Sequence, residues 1–265
     1  MNDRSKGGAG SETKRTGKQL ITVLRLVCCA ALVFSTTPAA QKDNKMSDEF
    51  LTAVTNGDAA RVKEMLKTDA ALARVTDKNG TSAVLLATYH GKREVAEALL
   101  ATGIELNVFE AAATGRTDRV RALLEKAPRL VNTYAPDGFY PLGLAVFFGH
   151  AETTRLLIES GADVNQIAHN AMKVRPLHSA AAARQPELSK LLIARGADVN
   201  AAQQAGFTAL HEAAATGQME LARLLLAHGA QIDARSDAGK TALTYAIENG
   251  QTEMAKFLES AGATR

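Results

Sequence analysis

"LHEAAATGQMELARLLLAHG", residues 210–229, reads as two short helices punctuated by two glycines. The first half is rich in alanine and offers little bulk. The second places Leu221, Leu224 and Leu225 at helical spacing and stops at Gly229. A glycine suits that stop because the residue after a helix often takes a left-handed backbone, which a side chain with a Cβ resists. The segment at each such stop repeats along the chain: GADVN at 161–165 and 196–200, GAQID at 229–233, and a last GA at 262–263. The steps between them are 35, 33 and 33 residues.

The same punctuation extends upstream. Paired apolar residues that end a helix recur at Leu99-Leu100, Leu123-Leu124, Leu156-Leu157, Leu191-Leu192, Leu224-Leu225 and Phe257-Leu258. All but the pair at Leu123 are followed within four residues by Gly103, Gly161, Gly196, Gly229 or Gly262. A second glycine series, Gly91, Gly115, Gly149, Gly217 and Gly250, sits in mid-unit. Each unit therefore reads helix, break, helix, break, and then a short extended or turn segment. Neither helix can bury its apolar stripe alone, so neighbouring units must stack into one continuous core. Leu191 and Leu224 are expected in that core. With no Trp and 5% aromatic residues, the interior must be built mostly from Ala and Leu, which suits small helices better than a sheet sandwich.

These units resemble ankyrin repeats. The family's Thr-Pro-Leu-His-x-Ala opening to the first helix stands here as RPLHSA at 175–180 and FTALHEA at 207–213, with drift as YPLGLA at 140–145 and KTALTYA at 240–246. A glycine precedes three of the four openings, at Gly138, Gly206 and Gly239, and Gly80 marks another unit. The resemblance covers the chain from about Met46 to the C-terminus. It implies an all-α solenoid of stacked helix–turn–helix units joined by short β-turn fingers, here an array over 41–265 of about seven units, the outermost serving as caps. It also implies structural roles for the signature residues Thr208, Thr241, His178 and His211, the histidines tying adjacent units through backbone bonds.

The pattern has irregularities. Only 24 residues separate Leu100 from Leu124, so the unit that starts near Ile104 has lost most of its finger. The unit at 166–199 carries two extra residues around AHNAMKV, and Arg184 replaces its mid-unit glycine. Such places mark a bend in the array or a specialised binding loop.

Five of the twelve aromatic residues cluster in the same region: Tyr134, Phe139, Tyr140, Phe147 and Phe148. By the resemblance, Phe147 and Phe148 take positions that face the concave groove, where later units carry Ala182 and Ala183, Ala215 and Thr216, or Glu248 and Asn249. Tyr89 and His90 hold the equivalent place in the second unit. Two readings stand side by side. The rings form a partner-binding patch with Met172, Lys173 and Arg175 as its rim, or they fill the gap left by the shortened unit.

Nothing in the chain reads as chemistry. His90 and His150 flank mid-unit glycines, His228 sits at a helix end, and no histidine falls in a zinc-ligand spacing. Asp163, Asp198 and Asp233 recur with the repeat and are joint residues. No nucleophile elbow, phosphate loop or dinucleotide fingerprint occurs. No catalytic residue, cofactor or metal is therefore expected, and the chain reads as non-enzymatic.

The first forty residues differ in kind. They carry six basic and two acidic side chains, both cysteines (Cys28 and Cys29), and an apolar run at 20–34 broken only by Thr22 and Arg25. Small residues with a proline come next, with a cleavage site near Ala39 or Ala40. This is the three-part pattern of a signal peptide over 1–40 and predicts an exported, periplasmic or secreted protein. Retention of residues 20–34 as a membrane anchor, or a start at Met46 in the cytoplasm, are the alternatives. The remaining chain holds one acidic residue in excess, which gives no electrostatic footprint for nucleic acid. The expected function is a protein–protein interaction scaffold, with a secreted effector or inhibitor that acts by binding as the alternative. An array serving an enzyme as its substrate-recognition part is a more distant reading.

Overall fold

The computed structural model describes residues 38–264, so the signal-peptide pattern lies outside it except around the expected cleavage point, which falls in the first turn of the first helix. The described residues form fourteen α-helices in seven pairs. These are α1 Pro38–Asn56 with α2 Ala59–Thr68, α3 Ala83–Tyr89 with α4 Arg93–Leu100, and α5 Val108–Ala113 with α6 Thr117–Lys126. Then come α7 Pro141–Phe147 with α8 Ala151–Glu159, α9 Pro176–Ala182 with α10 Pro186–Ala194, α11 Ala209–Thr216 with α12 Met219–Ala227, and α13 Ala242–Glu248 with α14 Thr252–Ser260. The first helix of each pair packs on the first helix of the next, forming an inner row, and the second helices form an outer row. Among the described residues there is no β-strand, only two isolated bridges, Thr76 with Ser82 and Ala202 with Thr208, at the bases of fingers.

Local chemistry starts each inner helix. The side chains of Ser82, Thr208 and Thr241 accept bonds from the amides of Leu85, His211 and Thr244, satisfying donors a helix start leaves free. Pro141, Pro176 and Pro186 occupy first-turn positions where no amide is needed. At the mid-unit break, Gly217 ends α11 with φ +69°. In the fifth unit Arg184 takes the same left-handed conformation at φ +55°, and its guanidinium donates to the Thr216 carbonyl of the next unit at 2.6 Å.

The core is aliphatic, as composition requires. Leu99, Leu157, Leu192, Leu225 and Leu258, each four residues before a glycine stop, have no exposed surface. Burying each contributes about 1.5–3 kcal/mol. Leu191 and Leu224 correct the expectation made from the leucine pairs: both are half-buried at the edge of the core. In these two pairs the second leucine takes the core position, whereas Leu156 and Leu157 are both buried.

Three kinds of hydrogen bond join units laterally. The side chain of Asn132 bonds the Gly161 carbonyl and the Asp163 amide, Asn165 bonds Gly196 and Asp198, and Asn200 bonds Gly229 and Gln231. GADVN recurs because the asparagine of one copy docks on the backbone of the next. On the opposite edge, His150 Nε2 meets the Ala113 carbonyl at 2.9 Å, and Gln218 Nε2 donates to Ala181 at 2.8 Å, each reaching back one unit. The fingers are sewn by His169 to Gly138, Gln204 to Met172 and Asp237 to Ala205.

Candidate functional site

The site begins where the third unit is incomplete. The link from α4 to α5 carries no finger, and Asn107 caps α5 directly: its side chain accepts from the Phe109 and Glu110 amides while Glu110 accepts from Asn107. The fingers of units two and four therefore meet, and a Cβ on Gly80 would stand 3.1 Å from Pro136. Tyr89, at the end of α3, crosses the third unit. Its hydroxyl donates to Asp137 Oδ2 at 2.7 Å, 48 residues downstream. Burial first, then the charge of Asp137, hold this phenol well above its ordinary pKa, so it stays a donor.

The aromatic rings assemble around that bridge. Tyr89 stacks parallel to Phe148 at 6.2 Å and meets Phe139 edge-on at 6.1 Å, and Phe147 packs edge-on against Phe148 at 5.2 Å. With Leu144, Met172 and Ala182 they line a small apolar cleft, partly open to solvent. It adjoins a larger groove between the inner helices and the finger tips, walled at one end by α1. Tyr89, Phe139, Phe147 and Phe148 are each half-buried. They close the gap over the third unit and also form a surface.

Tyr140 does not belong to that surface. It has no exposure, and its hydroxyl donates to the Val174 carbonyl at 3.3 Å. Val174 stands immediately before the helix opening of its unit, as Lys240 does in the seventh, and the Lys240 carbonyl is a partner of His211. The fourth unit has thus moved the signature ring from the fourth position of the opening to the first. Gly143, at the histidine's place, leaves it room: a Cβ there would lie 2.9 Å from the Tyr140 ring.

The remaining predicted residues scatter. Met172 lines the cleft, half-buried. Lys173 is exposed at the finger tip with φ +48°. Arg175 is no rim residue: its Nη1 donates inward to the Asn165 carbonyl at 3.0 Å. His178 Nδ1 accepts from the Arg175 amide at 3.2 Å, so its Nε2 carries the proton donated to Ala201 at 3.0 Å. Burial pushes this imidazole down to about 4, against the pull of the Ala201 bond. His211 repeats the arrangement between the Thr208 amide and the Ala234 carbonyl, its pKa also lowered by burial. Thr241, fully buried, bonds the Thr264 carbonyl.

One residue carries no signal in the sequence. Glu212, on α11, is 7% exposed as a residue, and its carboxylate, which still reaches solvent, accepts no hydrogen bond from the described residues. Burial raises its pKa, partly opposed by the charge of Arg184. The same residues EAAATG occur at 110–115 and 212–217, but Glu110 closes a capping box with Asn107, and Glu212 falls one position past the box of Thr208 and His211. Among the described residues no cluster of three His, Cys, Asp or Glu side chains is arranged to hold a metal ion.

A family model described as ankyrin repeats (three copies) matches residues 108–203 and again 177–264. The human DNA-binding protein RFXANK is 42% identical over 71 residues. That match spans 27% of this chain and 27% of the relative's length.

Proposed function

The chain belongs to the ankyrin-repeat family, and from that premise we propose that it is a non-catalytic binding module whose concave groove seats a partner protein on the rings of Tyr89, Phe139, Phe147 and Phe148. One observation carries the reading: partly exposed aromatic side chains gather around an apolar cleft. Such side chains are what protein interfaces use as anchors. The lateral bonds between units hold the cleft before any partner arrives, so association loses little conformational entropy. A photo-crosslinking amino acid at Phe147 should capture a discrete partner in the native host, and the same group at Ala227, exposed on the outer row, should not. Phe147→Ala with Phe148→Ala should weaken that partner's binding while the circular dichroism and melting of the array persist. Unfolding of the double variant, or equal capture from both positions, defeats the reading.

The partner on this reading is a protein and not DNA, despite the name of the human relative. With one acidic residue in excess over 41–265, the array carries no net positive charge to neutralise phosphates. The signal-peptide pattern further supports an exported protein whose partner shares its compartment. Intact-mass measurement of the exported fraction tests this: a chain that begins near Ala40 supports it, and a cytosolic chain that begins at Met46 overturns it.

A further inference from the structure

The groove extends past the aromatic cleft, and its floor carries one residue of a different kind. The position after the signature histidine faces the groove in several units: Leu86 lines the larger groove, and Leu144 and Ser179 line the cleft. In the sixth unit that position is Glu212. Glu212 is 7% exposed as a residue, and its carboxylate, without a hydrogen bond inside the chain, is open to a donor or a cation from outside.

The chain contains its own comparison. Glu110 opens the same six residues, EAAATG, and its carboxylate is satisfied by the Asn107 amide at 2.8 Å because α5 starts late. Helix α11 starts earlier, with Thr208 as cap and His211 at the position that reaches back to it, so Glu212 is left over. Arg184 acts on it by charge only: its guanidinium donates to the Thr216 carbonyl at 2.6 Å and lies beyond ion-pair distance of Glu212.

We propose that Glu212 is the specificity-determining residue of the groove and takes a Lys or Arg side chain of the partner, presented on an extended segment whose apolar residue sits among the rings of the cleft. This rests on the groove reading above and adds to it the chemistry of the partner. The stack sets the spacing. Inner helices α7 and α11 are two steps apart, and packed helices lie roughly 10 Å apart, so the two anchors are about 20 Å apart. An extended chain rises about 3.3 Å per residue, which places the basic residue about six positions from the apolar one.

A random twelve-residue peptide library displayed against the full chain tests the proposal. Peptides whose binding is weakened by Phe148→Ala should carry Lys or Arg about six positions from an apolar residue. Glu212→Gln should weaken them about tenfold, in the range a charge-assisted bond contributes. Exchanging the peptide's basic residue for Glu should restore binding to Glu212→Lys. If groove-binding peptides show no basic preference, or bind Glu212→Gln as they bind the parent, the role of Glu212 fails while the groove reading stands. If no selected peptide is weakened by Phe148→Ala, the groove reading fails and this inference with it. Stability supplies the second readout: Glu212→Gln should melt at or above the parent, by up to a few degrees. A lower melting temperature makes the carboxylate structural and overturns the proposal.

Discussion

Asn165 clasps the joint that ends at Asp198: its side-chain oxygen accepts the Asp198 amide at 2.8 Å while its nitrogen donates to the Gly196 carbonyl at 3.0 Å. Both halves of the clasp lie in copies of GADVN. The motif therefore acts between units as well as within them, where Asp163 accepts the amide of Asn165 at 2.8 Å. Asn132 and Asn200 repeat the bond pair on either side.

Asn165→Ala should remove two bonds between the fourth and fifth units and destabilise the array by about 1–2 kcal/mol. Urea unfolding measures it. Because stacked units couple to their neighbours, the loss should broaden the transition or split it near that junction. An unchanged midpoint would mean that water replaces the clasp without loss.

The exchange of ring position in the fourth unit makes a double-mutant cycle. Tyr140→Thr alone removes a fully buried ring and should cost about 3–5 kcal/mol. Gly143→His alone drives a side chain into that ring and should be no better tolerated. Together they recreate the opening seen at Thr208 and His211, and the pair should recover most of the lost stability. Additive losses would show that Tyr140 serves something other than the histidine's place.

Acid should loosen the fifth unit through His178. The unfolded chain binds a proton there near pH 6.5, but the buried folded imidazole does so only at about 4. Between those values the unfolded state takes up the proton and the folded state does not. This contribution is complete above pH 6.5, is lost as pH falls toward 4, and amounts to on the order of 3 kcal/mol. His178→Gln should flatten the fall in urea midpoint across that window relative to the parent. Parallel curves would refute the assignment.

Lys173 holds a left-handed backbone, φ +48°, with its side chain in solvent. Lys173→Gly should relieve that strain, about 1–2 kcal/mol, against a smaller loss from the freer unfolded chain, for a net gain of about 0.5–1 kcal/mol. A fall in melting temperature would mean that the lysine makes a contact which stabilises the finger.

The repeat period, the helix–stop–helix unit and the stacking of seven units were all legible in the residues, as was the missing third finger. The candidate site was legible in part. Tyr89, Phe139, Phe147, Phe148 and Met172 meet around one cleft, whereas Tyr140 turns inward, Arg175 turns to Asn165, and Glu212 had no signal at all.

The division has a physical origin. Helical spacing, glycine stops and caps act over three or four residues, so the sequence by itself determined the unit and, through its repetition, the solenoid. Which side chains are left for a partner depends on neighbours far along the chain. Tyr89 meets Asp137 only because no third finger stands between them, and Tyr140 is buried where Gly143 leaves space for its ring. Glu110 and Glu212 open the same six residues, but Asn107 three residues before the first caps its helix, whereas Ala209 stands three before the second. What the cap leaves over is decided only by the tertiary structure, because the partners of a side chain outside its own helix are set by what packs beside it.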